Sequence, residues 1–219
     1  MRIAIAGAGN VGRAIARDLI KNGHQVILID RDPKAIKMDS VPDAEWLMAD
    51  ACEVSALDNA KLDRCQVLVA ATGDDKANLV ASLLGKTEYG IPRVVARINH
   101  PKNEWMFNSS WGVDVAVSTP RIIAALVEEA VTVGDVVRLF SFRTGKANLV
   151  ELTLPDNSKC VGKTVSEVTL PEGSALSAIV RDGMVITPHA YDVFSSGDEL
   201  IFIATSEAEA QIKDCFITL

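Results

Sequence analysis

An apolar run at residues 3–6 leads directly into the hexapeptide Gly7-Ala8-Gly9-Asn10-Val11-Gly12, and a helical pattern over residues 11–22 leads out of it. Few folds are open to a chain built this way. The glycines allow a tight turn from strand to helix. Bare backbone then faces the helix N-terminus, where unpaired amide groups and the helix dipole favour an anion. A second apolar run, residues 26–29, closes on Asp30. Strand, glycine loop, helix, strand and acid in this order form the unit of a Rossmann fold that holds an adenine nucleotide, with the acid on the ribose hydroxyls.

The same alternation continues. Further apolar runs occupy residues 46–49, 67–71, 94–98 and 113–117. Helical stretches are expected between them. Asp32-Pro33 reads as an N-cap followed by proline at the first helical position. Residues 74–88 carry Ala77, Val80, Ala81 and Leu84 at helical spacing, and Thr119-Pro120 opens a helix over residues 121–131. Six strands with helical crossovers predict an α/β fold, a doubly wound parallel sheet of order 3-2-1-4-5-6.

The rhythm changes at Gly134-Asp135. Short candidate strands follow at residues 137–142, 149–154, 178–181, 185–187 and 199–204. Turn signals separate them: Thr144-Gly145, Pro155-Asp156-Asn157, Asp182-Gly183 and Ser196-Gly197-Asp198. Asp182-Gly183 is a hairpin signal. A last helix, residues 206–216, has Ser206 as its expected cap, with Glu209 completing a capping box. The expected organisation is a nucleotide-binding domain, residues 1–134, followed by a small α+β domain, residues 135–219, with helix and strand joining the two.

Composition narrows the function. Of the 219 residues, 48% are hydrophobic but only 5% aromatic, which suits buried parallel strands of Val, Ile, Leu and Ala. The net charge of −7 and the absence of a Lys/Arg cluster argue against a nucleic-acid partner. No apolar stretch reaches the roughly 18–20 residues that cross a bilayer, and the N-terminus reads as a core strand. Cys52, Cys65, Cys160 and Cys215 form no C-x-x-C pair, so reduced thiols in a cytosolic protein are expected.

The candidate ligand-binding residues sit at strand ends. Asp30 is expected on the ribose, where its charge repels a 2′-phosphate. Arg31 beside it reads either as a phosphate clamp or as a solvated surface residue. Asp50-Ala51 follows the third strand, at the adenine side of the crevice or as a cap of the next helix. Thr72-Gly73 follows the fourth strand, with Asp74 readable as a plain N-cap and Asn78 one turn on. Arg97 ends the fifth, facing phosphate or a structural ion pair. Catalytic groups are missing from the pattern. His24, His100 and His189 have no partners at triad or relay spacing, and no Walker loop or H-E-x-x-H motif occurs.

These residues together resemble a family. The ordered set Gly7 to Gly12, Asp30, Asp50-Ala51, Ala71-Thr72-Gly73-Asp74-Asp75-Lys76-Ala77-Asn78, Val95-Ala96-Arg97-Ile98 and Ser118-Thr119-Pro120 is similar to the RCK (KTN) nucleotide domain of Trk/Ktr-type potassium uptake regulatory subunits. Val161-Gly162-Lys163-Thr164-Val165, Ile179-Val180-Arg181-Asp182-Gly183 and Gly197-Asp198-Glu199-Leu200 are similar to its RCK C-terminal domain. The resemblance implies that Gly7, Ala8, Gly9, Asn10, Val11, Asp30, Asp50, Ala51, Thr72, Gly73 and Arg97 bind NAD(H) or ATP/ADP as a regulatory ligand. It implies dimers assembled into a ring, a homo-tetramer or a mixture with a related subunit, beneath a membrane potassium channel subunit at the inner face of the cell membrane. Some relatives carry a metal-binding acid after the residue matched by Pro120. Arg121 stands there in this chain, so no metal site is expected. The expected function is cytosolic gating of a potassium channel subunit without catalysis. A small NAD-dependent oxidoreductase is the alternative.

Overall fold

A computed structural model describes residues 1–131, 133–142 and 147–217. The chain divides into two compact units, Met1–Pro120 and Arg121–Leu219. The first contains β1 (Arg2–Ala6), α1 (Asn10–Lys21), β2 (Gln25–Asp30), β3 (Glu45–Met48), α2 (Val54–Asn59), β4 (Val67–Ala70), α3 (Asp75–Thr87), β5 (Arg93–Ile98) and β6 (Val115–Ser118). All six strands are parallel, in the order β3-β2-β1-β4-β5-β6, the order the sequence predicts.

Strand alternation divides the core between the two faces. Ala4, Ala6, Ile27, Ile29, Leu68, Ala70, Val94 and Ala96 point to one side, against Leu57, Leu79, Ala81 and Phe107. Ile3, Ile5, Val26, Leu28 and Val69 point to the other, against Ala16 and Val41. A fully buried Ile or Leu contributes about 1.5–3 kcal/mol through loss of apolar surface from water, so the central strands anchor the unit. Register fixes the ligand edge. Ala6 pairs with Ile29 on one side and with Ala70 on the other. Gly7 N–H then donates to Ile29 O at 2.7 Å, and Ala71 N–H to Ala6 O at 2.7 Å. The chain segments after β1, β2 and β4 therefore leave the sheet side by side.

Helix α1 ends where Asn22 and Gly23, the latter at φ +82°, turn their N–H groups back to Asp18 O and Ile20 O. After β2 the expected helix is absent. Asp32 instead makes a single turn, accepting from Lys34 N–H with its side chain and from Ala35 N–H with its carbonyl. Asp-Pro is as good a turn signal as a helix start, and no apolar stripe continues the helix through Lys34 and Lys37. Helix α3 buries Asp75, Asn78, Leu79, Ala81, Ser82 and Gly85, while Val80 is exposed. Its inner face is thus rotated from the one its apolar residues mark, because polar residues on it satisfy the ligand edge.

The second unit begins in α4 (Thr119–Val131) and continues with β7 (Val136–Ser141), β8 (Asn148–Thr153), β9 (Ser174–Arg181), β10 (Met184–Ile186), β11 (Glu199–Ala204) and α5 (Ser206–Phe216). Its sheet is antiparallel, in the order β10-β9-β11-β8-β7. Phe216 of α5 packs edge-on to Phe194 and Phe202 at 5.5 and 5.6 Å, over Val150, Leu152 and Leu200. Asp182 and Gly183, both at positive φ, make the β9–β10 hairpin. Strand β9 starts at Ser174, earlier than expected, because Ser174–Leu176 still pair with β11 beyond an irregularity in register at Ile201/Phe202. The cap of α5 is Thr205, whose side chain accepts from Ala208 N–H at 3.3 Å. Glu209 does not complete a box with Ser206. It accepts from Arg138 and from Asn148 Nδ2. The expected Thr144-Gly145 turn lies outside the described residues.

Candidate functional site

A cavity of about 620 Å³ opens at the carboxyl ends of β1 to β5, at the point where the strand order reverses. Open parallel sheets hold their ligands at this position. Among its lining are Gly7, Gly9, Asn10, Val11, Asp30, Arg31, Asp50, Ala51, Thr72, Gly73 and Arg97. The candidate residues of the sequence therefore converge on one crevice, with one exception. Ala8 is buried, and its N–H is occupied, donating to Asp30 Oδ2 at 2.7 Å.

The glycine loop is shaped by two requirements. At Gly12 a Cβ would lie 1.9 Å from Gly7 O, so helix and strand pack only with glycine there. At Gly9 a Cβ would meet no protein atom within 4 Å. Protein packing therefore does not require glycine at position 9, and the space it leaves belongs to the cavity. Gly9 is also the N-cap of α1, where no side chain caps the helix and no acid stands in the first turn. The exposed helix end suits a phosphate.

Arg13 holds this loop from beneath. Almost fully buried, it donates from Nη1 to Ala8 O at 2.5 Å and from Nη2 to Asn10 Oδ1 at 2.7 Å. Nothing in the sequence marks it, since a basic residue on the first turn of a helix reads as solvated. Asp30 is fixed by Ala8 N–H on one oxygen and by Asp32 N–H, 2.9 Å away, on the other. Each oxygen keeps a further lone pair for a ribose hydroxyl.

The opposite wall is built around Asn78, which is wholly buried. Its Oδ1 accepts from Thr72 N–H at 2.9 Å and from Thr72 Oγ1 at 2.6 Å, and its Nδ2 donates to Arg97 O at 2.9 Å. Asp75, next to the cap Asp74, accepts from Asn99 N–H, His100 N–H and Asn103 Nδ2. Burial alone would raise the Asp75 carboxyl, but these donors hold it below the usual carboxylate range. Arg97 is in none of the ion pairs among the described residues, and its Nε is buried without a hydrogen-bond partner. Arg97 also lines the cavity, where its guanidinium charge fits an anionic ligand group.

Arg31 and Asp50 meet just beyond the ends of β2 and β3. Arg31 Nη1 lies 3.0 Å from Asp50 Oδ2, while Asp50 Oδ1 accepts from Cys52 N–H at 2.9 Å. The Cys52 amide, helped by Arg31, holds the Asp50 carboxyl below its ordinary range against the opposing effect of burial. Asp50 is not the cap of α2, whose N-cap is Glu53. Arg31 is exposed, and it lines the cavity while paired to Asp50. Cys52, a lining residue the sequence does not single out, has its thiol pushed up to about 11, first by burial and then by Asp50. It is therefore protonated at neutral pH and a poor nucleophile.

No cluster of three or more His, Cys, Asp or Glu residues placed to hold a metal ion occurs among the described residues. Of the histidines, His189 pairs with Asp192 at 3.4 Å in the second unit, on the surface. No helix among the described residues is long and apolar enough to cross a membrane.

Comparison with known proteins places this geometry in a family. The family model of the TrkA-N domain matches residues 3–119, and that of the TrkA-C domain matches residues 149–216. The chain belongs to the TrkA family. It is 55% identical to the Trk system potassium uptake protein TrkA of Mycobacterium tuberculosis, over 97% of both chains. Its fold matches part of the GsuK channel bound to NAD, with a TM-score of 0.70 and 17% identity over 98% of this chain and 39% of the other. GsuK bound to ADP aligns with 59% of this chain and 34% of its own, at 28% identity and a TM-score of 0.51. The crevice lies wholly within the TrkA-N match.

Proposed function

We propose that the chain is the cytosolic regulatory subunit of a Trk-type potassium uptake system, and that NAD(H) or ATP/ADP in the crevice gates a membrane channel subunit. Residues 1–134 act as the nucleotide domain and residues 135–219 as the RCK C-terminal domain. The carrying observation is a crevice equipped to hold a nucleotide and poorly equipped to react with it. Gly9 and the α1 N-terminus take the phosphates with Arg97, and Asp30 takes the ribose. Asp50 and Ala51 border the adenine. The hydroxyl of Thr72 is committed within the protein, the Cys52 thiol is protonated, and no histidine lines the cavity. This lining favours a regulatory role over catalysis. The names of its relatives, potassium uptake proteins, and of solved neighbours bound to NAD and to ADP support the same reading.

Regulation makes an energetic demand. To move a channel from 1:99 to 99:1 open, the nucleotide must prefer one state by about 10⁴-fold, or about 5.5 kcal/mol. Several coupled copies in a ring share that demand. Helix α4 leaves Ile123, Leu126, Val127 and Val131 exposed, an apolar face that supports assembly into dimers and larger rings. The channel partner places the subunit at the inner face of the cell membrane. Potassium flux through a Trk channel subunit in proteoliposomes, with the chain added on the cytosolic side, tests the function. Flux should change with added nucleotide only when the chain is present, and flux indifferent to nucleotide would refute the reading.

A further inference from the structure

The crevice carries more carboxylates than guanidinium groups. Asp30, Asp32, Asp50 and Asp74 all line it, against Arg31 and Arg97. Arg97 sits at the end of β5, away from the ribose acid at the end of β2. Arg31, the residue after Asp30, is thus the cation placed to meet a phosphate on the ribose 2′ oxygen. The structure shows it turned to Asp50, with Nη1 3.0 Å from Oδ2. Asp50 is itself immobilised from the other side by Cys52 N–H, so the acceptor is in place before any ligand arrives. Asp74 adds a second negative charge near the Arg31 guanidinium.

We infer that the Arg31–Asp50 ion pair sets the ligand specificity of the crevice, excluding adenine nucleotides that carry a 2′-phosphate by holding Arg31 away from the ribose and leaving the charge of Asp30 uncompensated. This rests on the proposed nucleotide reading and adds to it which nucleotides are admitted. A free Arg beside the ribose acid can accommodate a 2′-phosphate in Rossmann folds. Here the pairing withdraws that cation, and a doubly charged phosphate would enter a site where carboxylates outnumber guanidiniums. The pair is an exposed one and worth little to folding. Its effect lies in what it denies the ligand, the repulsive half of specificity.

ADP-ribose and 2′-phospho-ADP-ribose differ only in that phosphate and serve as the probes, with calorimetry on the full chain. Wild type should bind ADP-ribose at least about tenfold more tightly, a factor that corresponds to about 1.4 kcal/mol. Asp50→Asn keeps an oxygen for Cys52 N–H but drops the charge. The preference should fall by about threefold to tenfold, the scale of one modest charge contact. Because both probes share the adenine, any change in adenine contacts cancels in the ratio. Arg31→Ala added to Asp50→Asn should restore the preference, which a loosening of the fold would not do. A ratio unmoved by Asp50→Asn while ADP-ribose still binds would overturn this inference alone. Equal binding of both probes by wild type would do the same. If wild type binds neither probe, the nucleotide reading fails and this inference falls with it.

Discussion

Asn78, wholly buried on α3, donates a hydrogen bond of 2.9 Å to the carbonyl of Arg97 at the end of β5. The same side chain accepts from the backbone and the hydroxyl of Thr72 at the end of β4. One amide thus ties two strand ends and sets the wall of the crevice. Asn78→Ala leaves the Thr72 N–H without its partner. It should cost about 1–3 kcal/mol, the penalty for an unsatisfied buried donor. Urea denaturation measures that loss, and nucleotide affinity should fall with it, since Thr72 and Arg97 lose their common support.

Two glycines of one loop should behave in opposite ways. Gly12→Ala drives a methyl group into Gly7 O and should prevent folding of the first unit or lower its melting temperature severely. Gly9→Ala meets no protein atom, so its melting temperature should stay within a few degrees of wild type, in line with substitutions that disturb no packing. Its methyl group instead enters the space assigned to phosphate, and nucleotide affinity should drop at least about tenfold, or about 1.4 kcal/mol. Thermal melts with and without nucleotide separate the two.

How much of this was legible in sequence varies with the kind of contact. The strand order followed from alternating apolar runs and a placed glycine loop, because a parallel sheet buries whole strands and so writes itself as continuous Val, Ile, Leu and Ala. The ends of β1 to β5 brought Gly7, Asp30, Asp50, Thr72 and Arg97 together as position at the ligand edge requires. Arg13, the bond from Asn78 to Arg97 and the Arg31–Asp50 pair were not legible. Each is a polar contact between residues whose neighbours in space are set by the fold, and no periodicity reports them. The turn at Asp32 and the cap at Thr205 differ from the sequence expectation for a related reason: Asp-Pro and neighbouring Thr-Ser fit two local structures equally well, and packing chose between them.

Acid should loosen the first unit through Asp75. Its folded-state carboxyl titrates below the ordinary range despite burial, because Asn99, His100 and Asn103 donate to the charged form. A depressed carboxyl contributes stability above its unfolded value of about 3.9, and that stability is lost as pH falls through the lower folded value. Stability measured by urea between pH 7 and pH 3 should therefore decline on the acid side. Asp75→Asn should be less stable at pH 7 and show a shallower acid decline. An unchanged slope would remove Asp75 from that role.

Asp30 carries two duties, and its replacement should reveal both. Asp30→Ala frees Ala8 N–H and Asp32 N–H, costing about 1–3 kcal/mol of stability. It also removes the acceptor for the ribose hydroxyls. Asp30→Asn keeps one carbonyl acceptor and should recover much of the stability while remaining weak in binding. Melting temperature and affinity read side by side distinguish the structural duty from recognition.

The central claim is that this crevice grips an adenine nucleotide through its own backbone and side chains. Isothermal titration of the purified chain with NAD⁺, NADH, ATP and ADP, run beside Gly9→Ala, tests it most directly. The expected result is saturable binding of at least one of the four, one nucleotide per chain, lost or strongly weakened in the folded Gly9→Ala variant. No binding of any of the four at millimolar concentration, or undiminished binding by Gly9→Ala, would contradict it.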